Sequence, residues 1–330
     1  MKLSTNSPIA RSKYYCLSGG ILVVLLAIAS LFVGKYPLTI EKLLSGDSLQ
    51  WRVFLTLRCS RTFVGIIGGF ALGVTGFVYQ TVFRNPLASP DIIGVSSGAS
   101  AGAGVGILFL SGTAAVTISA FAGALLAVIL ALGLSALDQS GKHQTIVLAG
   151  IAVHSLAQTA LMALKLTADP DQELAAIEYW IMGSLNGINI HSIGMNILLC
   201  MVCAIVLFLL HRQVVLLSSE EGEARMLGVH VVRLRLVILL VATLAVSSVI
   251  SLTGLISFVG LLAPHGARMF SKNNCSSTML LSGFIGSILL CGADILARSA
   301  AATELPVSIF TSLIGAPVLV LLIIRGRSTP

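Results

Sequence analysis

The sequence predicts an all-α polytopic membrane protein with about ten transmembrane helices and both termini in the cytoplasm. Of its 330 residues, 56% are hydrophobic and only 10% are charged. A soluble domain carries about 25% charged residues, so these charges are too few to cover a water-facing surface. The chain also contains uncharged runs close to the ~20 residues that cross a bilayer as one helix. Its 32 glycines favour close packing of helices in lipid.

The uncharged runs give the expected helices in order. Five of them are each about one crossing long: residues 14–34, 62–83, 143–164, 273–293 and 305–324. Residues 92–137 carry no charge and are long enough for two crossings with a turn near Ser111–Gly112. Residues 191–211 give another crossing, after a shorter segment that ends in "EYWIMGSLNG". Residues 236–267 form either one long helix or two helices broken near Thr253–Gly254.

The distribution of Lys and Arg decides between these two alternatives. With two helices in 236–267, thirteen of the twenty basic residues lie on the cytoplasmic side and seven lie outside. With one helix, the division is ten and ten. Because cytoplasmic loops carry the excess of Lys and Arg, the sequence favours ten crossings.

This topology divides the chain into four parts. They are a basic cytoplasmic tail, a single transmembrane domain, a cytoplasmic loop and an outer segment: residues 1–13, 14–327, about 212–233 and about 165–190. The cytoplasmic loop contains the one dense acidic cluster, which includes Glu220 and Glu221. The outer segment contains an amphipathic stretch, Glu173 to Asn186, that is expected to fold back toward the pore.

The sequence supports neither of two enzyme motifs. "GVSSG" at Gly94–Gly98 matches the G-x-S-x-G pattern of serine hydrolases, with His154 or His265 as conceivable bases. That pattern requires a strand before the serine, whereas the surroundings here predict the start of a membrane helix. The P-loop pattern G-x-x-x-x-G-K-[ST] is absent from the sequence, since Gly141-Lys142 is followed by His143. ATP-driven transport would therefore need a separate ATPase subunit.

The sequence predicts no metal site, no cofactor and no nucleic-acid partner. The six cysteines are scattered and fit neither a disulfide framework nor a zinc site. The formal net charge of +7 would suggest nucleic acid in a soluble protein, but in a membrane protein the side on which the charges lie matters more.

Two rows of glycines recur at four-residue spacing, which places each row on one helix face. Packing against another helix of the same chain is favoured over a subunit interface for both rows. The rows are Gly65, Gly69, Gly73 and Gly98, Gly102, Gly106.

Three arginines are expected at the outer ends of helices. Arg58 and Arg61 precede the second span, and Arg298 ends the ninth. Asp294 lies four residues before Arg298, so the two can pair on one helix face. Arg binds carboxylates through two parallel hydrogen bonds, so the three arginines could hold an acidic soluble partner. The alternative role is anchoring at the membrane interface.

Motifs along nearly the whole chain resemble the permease subunits of type II ABC importers for iron–siderophore complexes, haem and cobalamin. They are "LRCSRTFVGIIGGFALGVTGFVYQTVFRNPLASPDIIGVSSGAS", "EYWIMGSLNG", "ARMLGVHVVRLR", "TGLISFVGLLAPHGARM", "ADILAR" and "ELPVSIFTSLIGAPVLVLLIIR", in the family's order. The resemblance implies ten helices, in agreement with the count from charge. It also implies a second permease subunit, cytoplasmic ATPase subunits and a periplasmic or lipid-anchored substrate-binding protein.

The resemblance also implies roles for individual residues. Arg58, Arg61 and Arg298 would contact acidic residues of the binding protein. The cytoplasmic gate region would contain Asn85, Leu87, His143 and Gln144. Contacts with the ATPase would come from Glu220, Glu221, Ala224, Leu227 and Gly228. The family's Pro between the paired arginines is absent, since the sequence reads Arg58-Cys59-Ser60-Arg61.

The predicted function is therefore that of a non-enzymatic permease subunit in the cytoplasmic membrane of a bacterium. It would import an iron–siderophore complex by alternating access, with energy from ATP hydrolysed by its partners. Haem or cobalamin is the alternative cargo within the family. An ion-coupled secondary transporter is the alternative from a different class; it would need intramembrane charges that bind coupling ions, for which Asp294 is the candidate.

Overall fold

A computed structural model describes residues 8–137, 143–188, 190–218, 226, 229–271, 274–301 and 303–326. Within these ranges the chain is helical and contains no strand. The α-helices are α1 (Pro8–Phe32), α2 (Ile40–Leu44), α3 (Ser48–Val53), α4 (Ser60–Val82), α5 (Val95–Phe109), α6 (Thr113–Ala136), α7 (His143–Thr167), α8 (Glu173–Met182), α9 (Ile190–Leu209), α10 (His211–Leu216), α11 (Val231–Thr253), α12 (Val259–Ser271), α13 (Ser276–Ser299) and α14 (Val307–Gly326). The all-α prediction is confirmed for this part of the chain.

The described residues include six helices that are long and apolar enough to cross a membrane. They are Tyr14–Phe32, Ser48–Val82, Thr113–Ala136, Thr145–Thr167, Val231–Thr253 and Ser276–Ser299. Three shorter apolar helices accompany them: Val95–Phe109, Ile193–Leu209 and Val307–Leu321. These nine overlap the predicted runs. The apolar part of α1 coincides with the predicted first span although the helix begins earlier, at Pro8, and the second helix begins at Ser48 instead of residue 62. The count of ten crossings stays a prediction.

Both predicted helix breaks fall at glycines with positive φ. Gly112, at φ +94°, separates α5 from α6, and Gly254, at φ +69°, ends α11. Only glycine adopts this left-handed region without strain, so each glycine allows the chain to leave its helix. The run 236–267 is therefore two helices, because α12 starts at Val259 after the break.

The segment after α8 folds back onto the second of these breaks. The backbone N–H of Ser184 donates to the carbonyl of Thr253 at 2.7 Å, and that of Val307 donates to the carbonyl of Gly183 at 3.0 Å. These bonds join the ends of α8, α11 and α14. The segment around Glu173–Asn186 thus lies against the bundle. Its return toward the pore stays a prediction.

Helix α4 lies at the centre of the bundle, where it contacts α9, α11, α12 and α13. Its glycines make these contacts close. A Cβ added at Gly69 would lie 2.6 Å from the carbonyl oxygen of Gly286 on α13, and one at Gly73 would overlap the carbonyl of Ser282. Small residues let helix backbones approach in lipid, where packing replaces the hydrophobic effect as the force between helices. The Gly69 row is thus an intramolecular contact.

The second glycine row joins α5 to α6 in the same way. A Cβ at Gly98 would lie 2.5 Å from the carbonyl oxygen of Gly123, and one at Gly102 would overlap the carbonyl of Ser119. Both rows therefore confirm the prediction of packing within the chain.

We expect Gly69→Ala to destabilise the protein by about 1–3 kcal/mol, because the new methyl group forces α4 away from α13. Gly133→Ala is the matched control, since a Cβ at Gly133 meets no atom within 4 Å. Thermal unfolding in detergent measures both. Equal midpoints for the two variants would contradict the packing account.

Candidate functional site

Three segments meet at the end of the bundle that the charge distribution predicts to face the outside. They are the end of α1, the start of α4 with Arg58 and Arg61, and the end of α13 with Asp294 and Arg298. A fourth group, Glu304, reaches the same place from the connection between α13 and α14. We call Arg58, Arg61, Asp294, Arg298 and Glu304 the outer ionic cluster.

The helix that carries the first two arginines is continuous. A π-helical turn at Phe54–Cys59 joins α3 to α4, so one helix runs from Ser48 to Val82. Because the family's Pro is absent here, every residue of this stretch has a backbone N–H to offer the helix. The hydroxyl of Ser60 donates to the carbonyl of Leu55 at 3.3 Å, five residues back. A single π turn of this kind is frequently found at functional sites.

Arg61 connects the two acidic residues of the cluster. Its Nε donates to Oδ1 of Asp294 at 2.7 Å, and its Nη1 donates to Oε2 of Glu304 at 2.7 Å. The residue is only 7% exposed. Its third nitrogen, Nη2, is buried and has no hydrogen-bond partner. A buried donor left unpaired costs free energy, so this atom marks a place where a ligand acceptor could bind.

Arg298 and Arg58 bind the C-terminal end of α1. Nη1 of Arg298 donates to the carbonyls of Ser30 and Val33 at 3.0 and 2.8 Å. Nη1 of Arg58 also donates to the carbonyl of Val33, and its Nη2 donates to that of Tyr36 at 3.1 Å. The last carbonyls of a helix lack partners within the helix and carry partial negative charge, so arginines stabilise them.

The predicted pair of Asp294 and Arg298 is confirmed. Nη2 of Arg298 lies 2.9 Å from Oδ2 of Asp294, and both side chains are 2% exposed. Asp294 therefore uses one oxygen for each of two arginines. Removing one partner of such a buried pair leaves an uncompensated charge, which is strongly destabilising.

Sequence reasoning missed Glu304 and the backbone groups of α1. The segment that begins with "ELP" is one of the motifs that resemble the family. Nothing in it indicates that Glu304 bonds to Arg61, 243 positions earlier. The carbonyls of Ser30 and Val33 have no side-chain signal at all. The three arginines themselves were found because charge is rare in this chain.

The predicted gate residues are described in part. Oδ1 of Asn85 accepts a hydrogen bond from the N–H of Leu87 at 2.9 Å, so the asparagine shapes the "RNPLASP" turn. Leu87 is 56% exposed. Helix α7 begins at His143, and the side chains of His143 and Gln144 lie outside the described residues.

The predicted ATPase contacts also fall outside the described residues: Glu220, Glu221, Ala224, Leu227 and Gly228. The start of that loop is described. Nε of Arg84, in the "RNPLASP" turn, donates to the carbonyl of Leu217 at 3.3 Å. This bond ties the turn to the beginning of the loop that is predicted to contact the ATPase.

The serine-hydrolase alternative lacks its catalytic geometry. Ser96 donates to Oδ1 of Asp91, and Ser97 donates to the carbonyl of Gly94 at 3.0 Å. Among the described residues, neither serine bonds to a histidine. Gly94 has φ +83° and α5 starts directly after it, so "GVSSG" is the beginning of a helix.

The described residues also contain no group of three or more His, Cys, Asp or Glu side chains that could hold a metal ion. The arrangement as a whole is that of a polytopic membrane protein with a positively charged cluster at one end.

The chain belongs to the FecCD transport family, whose sequence pattern matches residues 22–325. It is 34% identical to the hemin transport system permease protein HmuU of Yersinia pestis, over 93% of this chain and 94% of that protein. It is 32% identical to a probable iron chelatin transport system permease protein of Helicobacter pylori, over 83% of each chain. The class of protein is therefore an ABC transporter permease, and these relatives are named for different cargoes at nearly equal identity.

A solved structure gives the same fold. It shows an inward-facing conformation of what its description calls a metal-chelate type ABC transporter. The two chains superpose with a TM-score of 0.83 at 30% identity, over 94% of this chain and 98% of that one. The predicted type II importer fold is confirmed.

We expect Asp294→Asn to lower the free energy of unfolding by about 3–5 kcal/mol, because two buried arginines lose their shared carboxylate. Glu178→Gln is the control, since Glu178 pairs with Lys165 at 2.8 Å but is half exposed. An exposed pair of this kind contributes about 0–1 kcal/mol. Thermal unfolding in detergent distinguishes the two, and an Asp294→Asn protein as stable as the control would contradict a structural role for the cluster.

Proposed function

We propose that this chain is the membrane subunit of an ATP-driven importer that moves an iron–siderophore complex across a bacterial cytoplasmic membrane. The observation that carries the proposal is the outer ionic cluster, in a chain of the FecCD family, at the end of the bundle predicted to face the supply of cargo. A second permease subunit, identical or homologous, completes the pore. Two cytoplasmic ATPase subunits drive it through the loop around 212–233.

A soluble or lipid-anchored binding protein delivers the cargo by docking its acidic residues on Arg58, Arg61 and Arg298. The geometry supports unequal roles for the three. Arg58 and Arg298 bind backbone carbonyls at and just after the end of α1, whereas Arg61 keeps one nitrogen without a partner. Arg61 is therefore the principal docking residue, and the other two hold the surface in place around it.

The proposed cargo is supported by the relatives and by the lining of a cavity beside α8. The Helicobacter relative is named for iron chelatin and the Yersinia relative for hemin, which is an iron porphyrin, and the solved structure is described as a metal-chelate type transporter. A cavity of about 350 Å³ lies beside α8, lined by Tyr179, Trp180, Asn186 and Thr253 among others, with no charged side chain. An uncharged lining suits a bulky chelate that must be released again, since strong binding in the membrane would slow transport.

The ion-coupled alternative fits the cluster poorly. Its candidate ion ligand, Asp294, already binds Arg61 and Arg298 through both carboxylate oxygens. A coupling cation would have to displace two arginines from a buried site. ATP coupling needs no such exchange.

The function can be tested in proteoliposomes that contain the permease dimer, its ATPase and its binding protein. We expect uptake of radioactive ferric siderophore to require ATP and an intact P-loop in the ATPase, and to survive a protonophore. Haem and cobalamin serve as competing cargoes. Uptake that persists with an inactive ATPase and stops with the protonophore would contradict the importer; preferential uptake of haem or cobalamin would contradict only the cargo.

We expect Arg61→Lys to weaken docking of the binding protein about tenfold, because lysine cannot form two parallel bonds to a carboxylate. Arg52→Lys is the matched control, since Arg52 is exposed and lies on the same continuous helix, Ser48–Val82. Surface plasmon resonance with the permease complex in nanodiscs measures both affinities. Equal affinities would remove Arg61 from the docking site.

A further inference from the structure

We infer that Glu304 is a displaceable internal carboxylate, which occupies Arg61 until a carboxylate of the docking protein replaces it. The inference rests on the proposed docking function and adds to it a competition between an internal and an external acid. It follows from the difference between the two acids that bind Arg61.

Asp294 is the permanent partner. It lies on α13, is 2% exposed, and binds both Arg61 and Arg298 at 2.7 and 2.9 Å. Releasing it would leave two buried arginines without their shared counter-charge. That loss is too large for a reversible docking step.

Glu304 is held much less firmly. Its side chain is 22% exposed. Among the described basic side chains, Glu304 forms an ion pair only with Arg61. Its neighbours are fixed by the backbone: the N–H of Leu305 donates to the carbonyl of Ala297 at 3.2 Å, and the N–H of Val307 is bound to Gly183. The Glu304 side chain can therefore rotate away from Arg61 while the chain that follows it stays in place.

Arg61 gains from the exchange. Glu304 accepts from Nη1 only, and Nη2 is buried without a partner. An incoming carboxylate that approaches along the guanidinium edge can accept from Nη1 and Nη2 together, which is the strongest arrangement for this pair. A cavity of about 200 Å³ lined by Arg58, Arg61, Arg298 and Glu304 gives that carboxylate room.

The charges of the cluster also fit an acidic partner. Three arginines against two carboxylates leave one positive charge while Glu304 is in place. When Glu304 turns away, the arginines and Asp294 present two positive charges to the partner. The surface is thus weakly attractive at rest and strongly attractive during docking, and Glu304 can compete again when the partner has to leave.

The test compares Glu304→Gln with Glu178→Gln. The second variant removes the same charge from the same predicted outer side, but Glu178 pairs with Lys165 and not with Arg61. The probe is the purified binding protein of the same import system, and the permease complex is held in nanodiscs. We expect Glu304→Gln to tighten docking about tenfold, mainly through slower dissociation, and Glu178→Gln to change it less than twofold.

Glu304→Asp is a second variant in case the glutamine protein folds poorly. It keeps the charge but is one methylene shorter, so it should also release Arg61 and tighten docking, by a smaller factor. Weaker docking in the Glu304 variants would overturn the inference, because Glu304 would then support the surface. Equal tightening by Glu178→Gln would overturn it as well, because the effect would then come from the change in net charge and not from the release of Arg61.

The failure of this inference can be told apart from failure of the docking proposal. If Arg61→Lys leaves docking unchanged, the docking proposal is wrong and the inference falls with it. If Arg61→Lys weakens docking while Glu304→Gln does not tighten it, only the displacement by an external carboxylate is wrong.

Discussion

The outer end of this molecule depends on one buried ionic contact, the carboxylate of Asp294 between Arg61 and Arg298. Each arginine in turn determines the position of a neighbouring element. Arg298 binds the end of α1 and Arg61 binds Glu304 in the connection to α14. Because the low dielectric makes an unpaired charge costly here, these elements are fixed relative to one another. A few polar groups thus organise one end of a bundle that is otherwise apolar.

Farther along the bundle from the cluster, α4 and α13 pack against each other through glycines. Gly69 on α4 and Gly286 on α13 bring the two backbones together directly beneath Arg61 and Asp294. The glycine contacts and the ion pairs have different roles in joining α4 to α13. The glycines allow the close approach, while the ion pairs fix which residues face each other. A bundle built in this way needs few charges along its length.

Much of the fold could be predicted because its signals are local. The helix ends at Gly112 and Gly254 follow from the sequence pattern, and the pair of Asp294 and Arg298 follows from i,i+4 spacing. The site could be predicted only in part. Its arginines stand out as rare charges, but the bond from Arg61 to Glu304 joins segments far apart in the chain, and only the packing of α4 against α13 brings them together.

A structure of the assembled transporter with its binding protein docked tests the central claim most directly. Electron cryomicroscopy at side-chain resolution would show the partners of Arg61. The account predicts a carboxylate of the binding protein about 3 Å from the guanidinium of Arg61, with Asp294 still bound on the other side. A binding protein seated elsewhere, with Arg61 uncovered and still bonded to Glu304, would contradict it.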